Sequence, residues 1–260
     1  VAGLAKYAHI RENASTGADL ELMHGLLPLV ATLLAYLVGS LSFAVIVSRV
    51  MGLSDPRTFG SKNPGATNVL RSGSKGAAVL TLLLDAAKGW LPVMLVRWFG
   101  KPYGLEDGTV AMVGLAAFLG HLYPVFFRFV GGKGVATALG VLLGLNVWLG
   151  VVTLLIWLVT AALFRYSSLA SIVSALLAPA VYALGGGDGW FVSKSIAFGV
   201  VLMSLLLLYR HAENINRLVR GTESKLGKKT EAAPMVVAPA HGHRHAARHA
   251  QKPHSHGKHT

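Results

Sequence analysis

Six stretches of this chain, 25 to 48, 76 to 96, 108 to 127, 134 to 164, 166 to 187 and 189 to 209, are apolar with few or no charges. About 20 such residues cross the ~30 Å hydrocarbon core of a bilayer as an α-helix. A helix also satisfies its backbone polar groups without water. The expected class is therefore an all-α integral membrane protein. The composition agrees: 53% of the 260 residues are hydrophobic and 13% charged, against about 25% charged in soluble domains.

The run from Gly134 to Phe164 is long for one span and short for two, and the charges between the runs decide how to read it. The segments with Arg49, Arg57, Lys62, Arg71 and Lys75, then Arg128 and Lys133, then Arg165, then Arg217 to Lys229 are basic, whereas Glu106, Asp107 and Asp188 lie between them. Basic segments belong on the cytoplasmic side. Keeping them all there requires two short helices that turn near Gly150. The expectation is seven membrane-inserted helices, the fourth and fifth short, with the N-terminus outside and the C-terminus cytoplasmic.

Three regions follow. Residues 1–24 form a polar extension without the features of a secretory signal. Residues 25–216 form the helical membrane domain. Residues 217–260 form a basic, His-rich cytoplasmic tail, too polar from Gly221 onward to offset its ordering entropy and so expected to be disordered. Nine of the 24 Lys and Arg fall in that last region, so the net charge of +13 reflects topology rather than nucleic-acid binding. His241, His243 and His245 have a spacing that holds metal weakly, but a solvated tail is the expected reading. With no cysteine, disulfides, a thiolate nucleophile and a Cys-based zinc site are excluded. No metal site and no cofactor is expected, since no acidic cluster suited to Mg²⁺ adjoins the loops.

Chemistry concentrates in two loops. The first, Ser61-Lys-Asn-Pro-Gly-Ala-Thr-Asn-Val-Leu-Arg71, combines turn residues (Pro64, Gly65) with hydroxyl and amide side chains (Ser61, Asn63, Thr67, Asn68) and two cations (Lys62, Arg71). Successive N–H groups in a glycine turn form a nest for phosphate oxygens, and an arginine grips phosphate in a bidentate contact. The alternative is an ordinary polar connection between spans. The second loop runs from Gly120-His121 to Gly131-Gly-Lys133-Gly134 and into Thr137. It places an ammonium beside a helix N-terminus, a second anion site, although Lys133 as a topology determinant is an equal alternative. Arg165 with Ser167, Ser168 and Ser171 opens the sixth helix, where capping competes with ligand binding. His211 and Asn214 share one face at the end of the seventh, and a partial cation at a helix end is the plainer account of that histidine. Asp85 and Lys88, one turn apart inside the second span, read as a buried ion pair.

The chain resembles the bacterial membrane glycerol-3-phosphate acyltransferases that use acyl phosphate. The resemblance is carried by Gly39-Ser40 through Arg71, by Gly120-His121 through Thr137, and by Arg210-His211-Ala-Glu-Asn214 through Lys225. It implies transfer of a fatty acyl group from acyl phosphate to the 1-hydroxyl of sn-glycerol 3-phosphate, giving lysophosphatidate and phosphate, the first acylation of phospholipid synthesis. It implies that Ser61, Arg71, Lys133, His211 and Asn214 bind the polar substrates. Asn63, Gly65, Ala66, Thr67 and Asn68 would hold the donor's phosphate, and Ser168 or Ser171 would supply a further hydroxyl.

His211, Lys133 and Arg71 are the residues expected at the reacting centre. The His-x4-Asp pair of soluble-type acyltransferases is missing, because Phe126 and Asn216 stand five places after His121 and His211. A substrate phosphate, with a second pKa near ~6, is therefore the expected proton acceptor. The expected setting is a bacterial inner membrane, with a monomer whose site faces the cytoplasm and whose partners are the two substrates and membrane lipid. The rival reading is a transporter of phosphate or an organophosphate, which calls for cations near the midplane.

Overall fold

The structure, a computed structural model, describes residues 25–186 and 191–227. The N-terminal extension, Asp188 and the His-rich stretch lie outside those residues. The fold is all-helical: α1 (Gly25–Gly39), α2 (Phe43–Val50), α3 (Ala66–Leu70), α4 (Lys75–Phe99), α5 (Asp107–Leu122), α6 (Val135–Leu145), α7 (Val147–Phe164), α8 (Ser167–Leu184), α9 (Lys194–Arg210) and α10 (Ala212–Val219). Among the described residues four helices are long and apolar enough to cross a membrane, or up to six units if each bent pair, α1 with α2 and α9 with α10, counts as one.

Burial divides the side chains as a lipid environment requires. Phe118, Leu122, Val93, Val113, Val141, Leu149 and Val200 fill the interior, while Leu83, Leu155, Leu163, Leu176 and Phe198 point outward. Outward leucines on several helices would be an untenable apolar surface in water. They suit acyl chains.

The long apolar run does divide, but at Asn146 rather than near Gly150. Asn146 is extended, and its side chain accepts the Leu149 N–H at 3.1 Å, capping α7. This moves the break four residues earlier, because an asparagine side chain can satisfy a helix's orphan N–H whereas glycine only permits a bend. The resulting helices are unequal. α6 has 11 residues, about 16 Å, while α7 has 18 and meets the length and hydropathy of a full span. The fourth helix is short as expected, and the fifth is not.

The break between α1 and α2 was not foreseen, nor was a separate helix after His211. α1 and α2 bend by 42° across Ser40–Ser42, and α9 and α10 by 56° at His211. His211 closes the end of α9, as expected, and also opens α10. The expected boundary after residue 216 falls inside α10, and the chain beyond it folds back on the turn between α7 and α8, where the Leu226 N–H donates to the Arg165 carbonyl.

Close helix contacts rest on glycines. A Cβ on Gly140 would lie 1.9 Å from the Ala86 carbonyl oxygen, and one on Gly89 2.3 Å from that of Thr137, so α4 and α6 pack backbone to backbone, the most extensive helix pairing among the described residues. A Cβ on Gly39 would meet the Ala117 carbonyl oxygen at 2.1 Å, joining α1 to α5. Small residues at such crossings are how membrane helices gain packing without a hydrophobic driving force.

Candidate active site

The first loop is built around Asn68. Its amide donates to the Pro56 carbonyl at 2.6 Å and the Phe59 carbonyl at 3.1 Å, while its Oδ1 accepts the Ser61 N–H at 3.1 Å. Buried to 2% exposure, Asn68 is occupied in holding the loop's own backbone. Gly60 is left-handed at φ +57°, and a Cβ there would strike the Asn68 Oδ1 at 2.4 Å. Asp55 clasps Arg57 with oxygen–nitrogen distances down to 2.6 Å, and that guanidinium hydrogen bond holds the Asp55 carboxyl below its usual range. What remains outward is Ser61, Lys62 and Thr67, with Asn63 and Arg71 half-buried.

Two contacts bring this loop to the second. A Cβ on Gly132 would sit 2.8 Å from the Pro64 carbonyl oxygen, and the Arg57 guanidinium lies 5.9 Å from the centre of the Phe127 ring. The second loop is itself fastened by Arg210, which donates to the Gly131 carbonyl at 3.0 Å and the Gly132 carbonyl at 3.1 Å. A third contact reaches α8, where the Thr67 and Ser167 hydroxyls are 3.4 Å apart.

Around Lys133 the expected residues converge on one unforeseen carboxylate. Glu223 accepts from the Ser168 hydroxyl, the Asn214 amide and the Arg217 Nε, each at 2.7 Å. The Lys133 ammonium donates to the Asn214 Oδ1. Burial acts to raise the Glu223 pKa, but its three donors outweigh that and hold it low. Lys133 is pushed down to about 8, by burial first and then by Arg217, against the opposing pull of Glu223 and Glu213.

His211, 2% exposed, has its Nδ1 2.8 Å from the Leu207 carbonyl oxygen. A carbonyl only accepts, so Nδ1 carries the proton and Nε2 is left as an acceptor. Of the two serines that the sequence leaves open, Ser168 joins the Lys133 network. Ser171 donates to the Ser167 carbonyl at 2.9 Å and accepts from the Trp157 indole at 3.1 Å.

The gathered set is thus Lys133, Ser168 and Asn214, with His211 three residues before Asn214 and within electrostatic reach of Lys133 and Glu223, and the first loop alongside. Ser61 and Arg71 are held to Asn68 rather than to the Lys133 network. Glu223, Arg210 and Arg217 were missed as partners. Glu223 carried one signal, a lone acid among the basic residues 217 to 229. Among the described residues no group of His, Asp and Glu could hold a metal ion.

Residues 29–221 match the family model for glycerol-3-phosphate acyltransferase. A protein of that name from Albidiferax ferrireducens is 70% identical over 210 residues, covering 81% of this chain and 94% of its own. One from Ralstonia pickettii is 59% identical, covering 79% and 99%. Two crystal structures of PlsY, an integral membrane glycerol 3-phosphate acyltransferase, superpose with this fold. The glycerol 3-phosphate form has a TM-score of 0.71 and 39% identity, covering 77% of this chain and 96% of that one. The lysophosphatidic acid form has a TM-score of 0.69 and 38% identity, covering 77% and 95%. An apolar helical bundle with a cationic, glycine-walled cluster at one end, and relatives that match it over nearly their whole length, lead to one assignment: the chain belongs to the glycerol-3-phosphate acyltransferase family.

Proposed function

We propose that this protein transfers a fatty acyl group from acyl phosphate to the 1-hydroxyl of sn-glycerol 3-phosphate, forming lysophosphatidate and inorganic phosphate. The observation that carries the reading is the convergence of Lys133, Ser168 and Asn214, with His211 three residues before Asn214, beside the first glycine loop, at one end of a lipid-facing bundle. Both substrates carry phosphate, and two cationic glycine loops answer two phosphates.

In the proposed reaction the first loop, with Ser61, Asn63, Gly65, Ala66, Thr67 and Arg71 around the frame that Asn68 holds, binds the donor's phosphate. Lys133, Ser168, His211 and Asn214 bind glycerol 3-phosphate. The glycerol C1 oxygen attacks the acyl carbon, and its proton passes to a phosphate oxygen. The tetrahedral oxyanion collapses by breaking the bond to the bridging oxygen, whose electron pair leaves with inorganic phosphate. Acyl phosphate is already activated, so the protein supplies alignment and charge neutralisation. Nε2 of His211 accepts a substrate hydroxyl rather than driving the step.

The proposal also includes seven membrane-inserted helices, counting each bent pair and α6 once, with the N-terminus outside, the site and tail cytoplasmic, and a monomer in a bacterial inner membrane. Purified protein supplied with acyl phosphate and labelled glycerol 3-phosphate should yield lysophosphatidate and phosphate in equal amounts. Product formed from acyl thioester but not from acyl phosphate would overturn the donor, and no product from either would overturn the enzyme.

A further inference from the structure

A second polar network lies inside the bundle, and the reaction just proposed makes no use of it. Asp85 and Lys88 pair at 2.8 Å with their side chains at most 3% exposed. Charges in the membrane interior are costly, and a structural pair needs only each other. This pair reaches further, in both directions. Lys88 donates to the Leu41 carbonyl at 2.7 Å, in the break that delivers the chain to α2 and the first loop. The Asp85 Oδ1 lies 3.6 Å from the His121 Nδ1, which is 3.0 Å from the Thr137 hydroxyl of α6.

His121 then meets the second loop twice. Its carbonyl accepts the Gly132 N–H at 3.1 Å. Its ring abuts the same residue, since a Cβ on Gly132 would lie 2.3 Å from the His121 Nε2. Beyond Gly132 the next groups are the Pro64 carbonyl of the first loop and, in sequence, Lys133. One chain of contacts thus runs from the α1–α2 break through Lys88, Asp85 and His121 to the backbone that presents Lys133.

We infer that Asp85 and His121 are positioning residues that fix the separation of the two glycine loops, and so hold the Lys133 ammonium in register with the first loop. The inference rests on the function proposed above for what the register serves, but not for the register itself. Misplacing a reacting group by about 1 Å costs on the order of 10²-fold in rate, which is the scale the pair is expected to govern.

The test uses the natural lack of cysteine. Nitroxides on Thr58→Cys and Val130→Cys, exposed positions in the two loops, report their separation by pulsed electron spin resonance in the full-length protein in nanodiscs. With His121→Ala or Asp85→Ala the distance distribution should broaden or shift, and kcat/KM should fall on the order of 10²-fold in protein that still melts cooperatively. His121→Asn, which keeps an amide nitrogen where Nδ1 stands, should recover most of both.

An unchanged distribution in a folded variant overturns the inference, whatever its activity. If neither alanine variant folds, Thr137→Val, which removes one hydroxyl from the network, is judged by the same criterion. A wild-type protein without turnover overturns the functional reading alone, because the distance measurement needs none.

Discussion

At the scale of single residues, the site is a set of charges whose partners decide their states. Lys133 has a pKa near 8, so below that pH it is an ammonium and binds phosphate, and above it a neutral amine that cannot. Values of kcat/KM report the free enzyme and should fall about tenfold per pH unit beyond pH 8. Lys133→Arg, protonated throughout that range, should remove the fall; a flat wild-type profile to pH 9.5 or so would refute the assignment. His211→Ala should raise KM for glycerol phosphate while leaving saturated turnover within a few-fold, because Nε2 is a hydrogen-bond acceptor in the proposed step. A large loss of kcat alone would make His211 the base. Spacing alone left Lys133 open between an anion site and a topology determinant and favoured a helix-end cation for His211; the resemblance is what named them, with Asn214, as candidates. Glu223 was not, since its role depends on a chain reversal after α10 that brings it under Ser168, and nothing local encodes that contact.

At the scale of elements, helices were legible where apolar runs were long, and their interruptions were not. Ser40–Ser42 lies inside a stretch that looks continuous, and the bend there is held by a distant partner, Lys88 on the Leu41 carbonyl. Asn146 shows the opposite case: the cap was in plain view in the sequence, but Gly150 looked the stronger turn signal. The crossing of α4 and α6 depends on Gly89 and Gly140. Gly140→Ala should destabilise the protein by about 1–3 kcal/mol, read as a lowered melting temperature in detergent, whereas Gly76→Ala, with open space around its Cβ position, should not. Equal melting of the two would remove backbone contact as the basis of that pairing.

At the scale of the whole molecule, the apolar runs made the class readable before any coordinates, and the charge pattern carries the proposed orientation. Single cysteines at Lys101 and Lys225, both exposed, should react with a membrane-impermeant maleimide from opposite sides, Lys101→Cys from outside intact cells and Lys225→Cys only after lysis. Labelling of both from one side would overturn the orientation. The shortness of α6 also has a consequence for the energetics of the donor. α6 runs parallel to α4, from Thr137 beside Asp85's partner His121 to Leu145 beside Arg97. Asp85 lies ten residues past Lys75, so α6, which starts two residues before Thr137, begins about 12 Å along α4, inward of that helix's proposed cytoplasmic end, and the turn carrying Lys133 leads into it. In the proposed orientation the mixed anhydride meets its acceptor in a recess rather than at the surface. Water is the competing nucleophile for such an anhydride, and sinking the reacting bond among helices starves hydrolysis in favour of the glycerol hydroxyl.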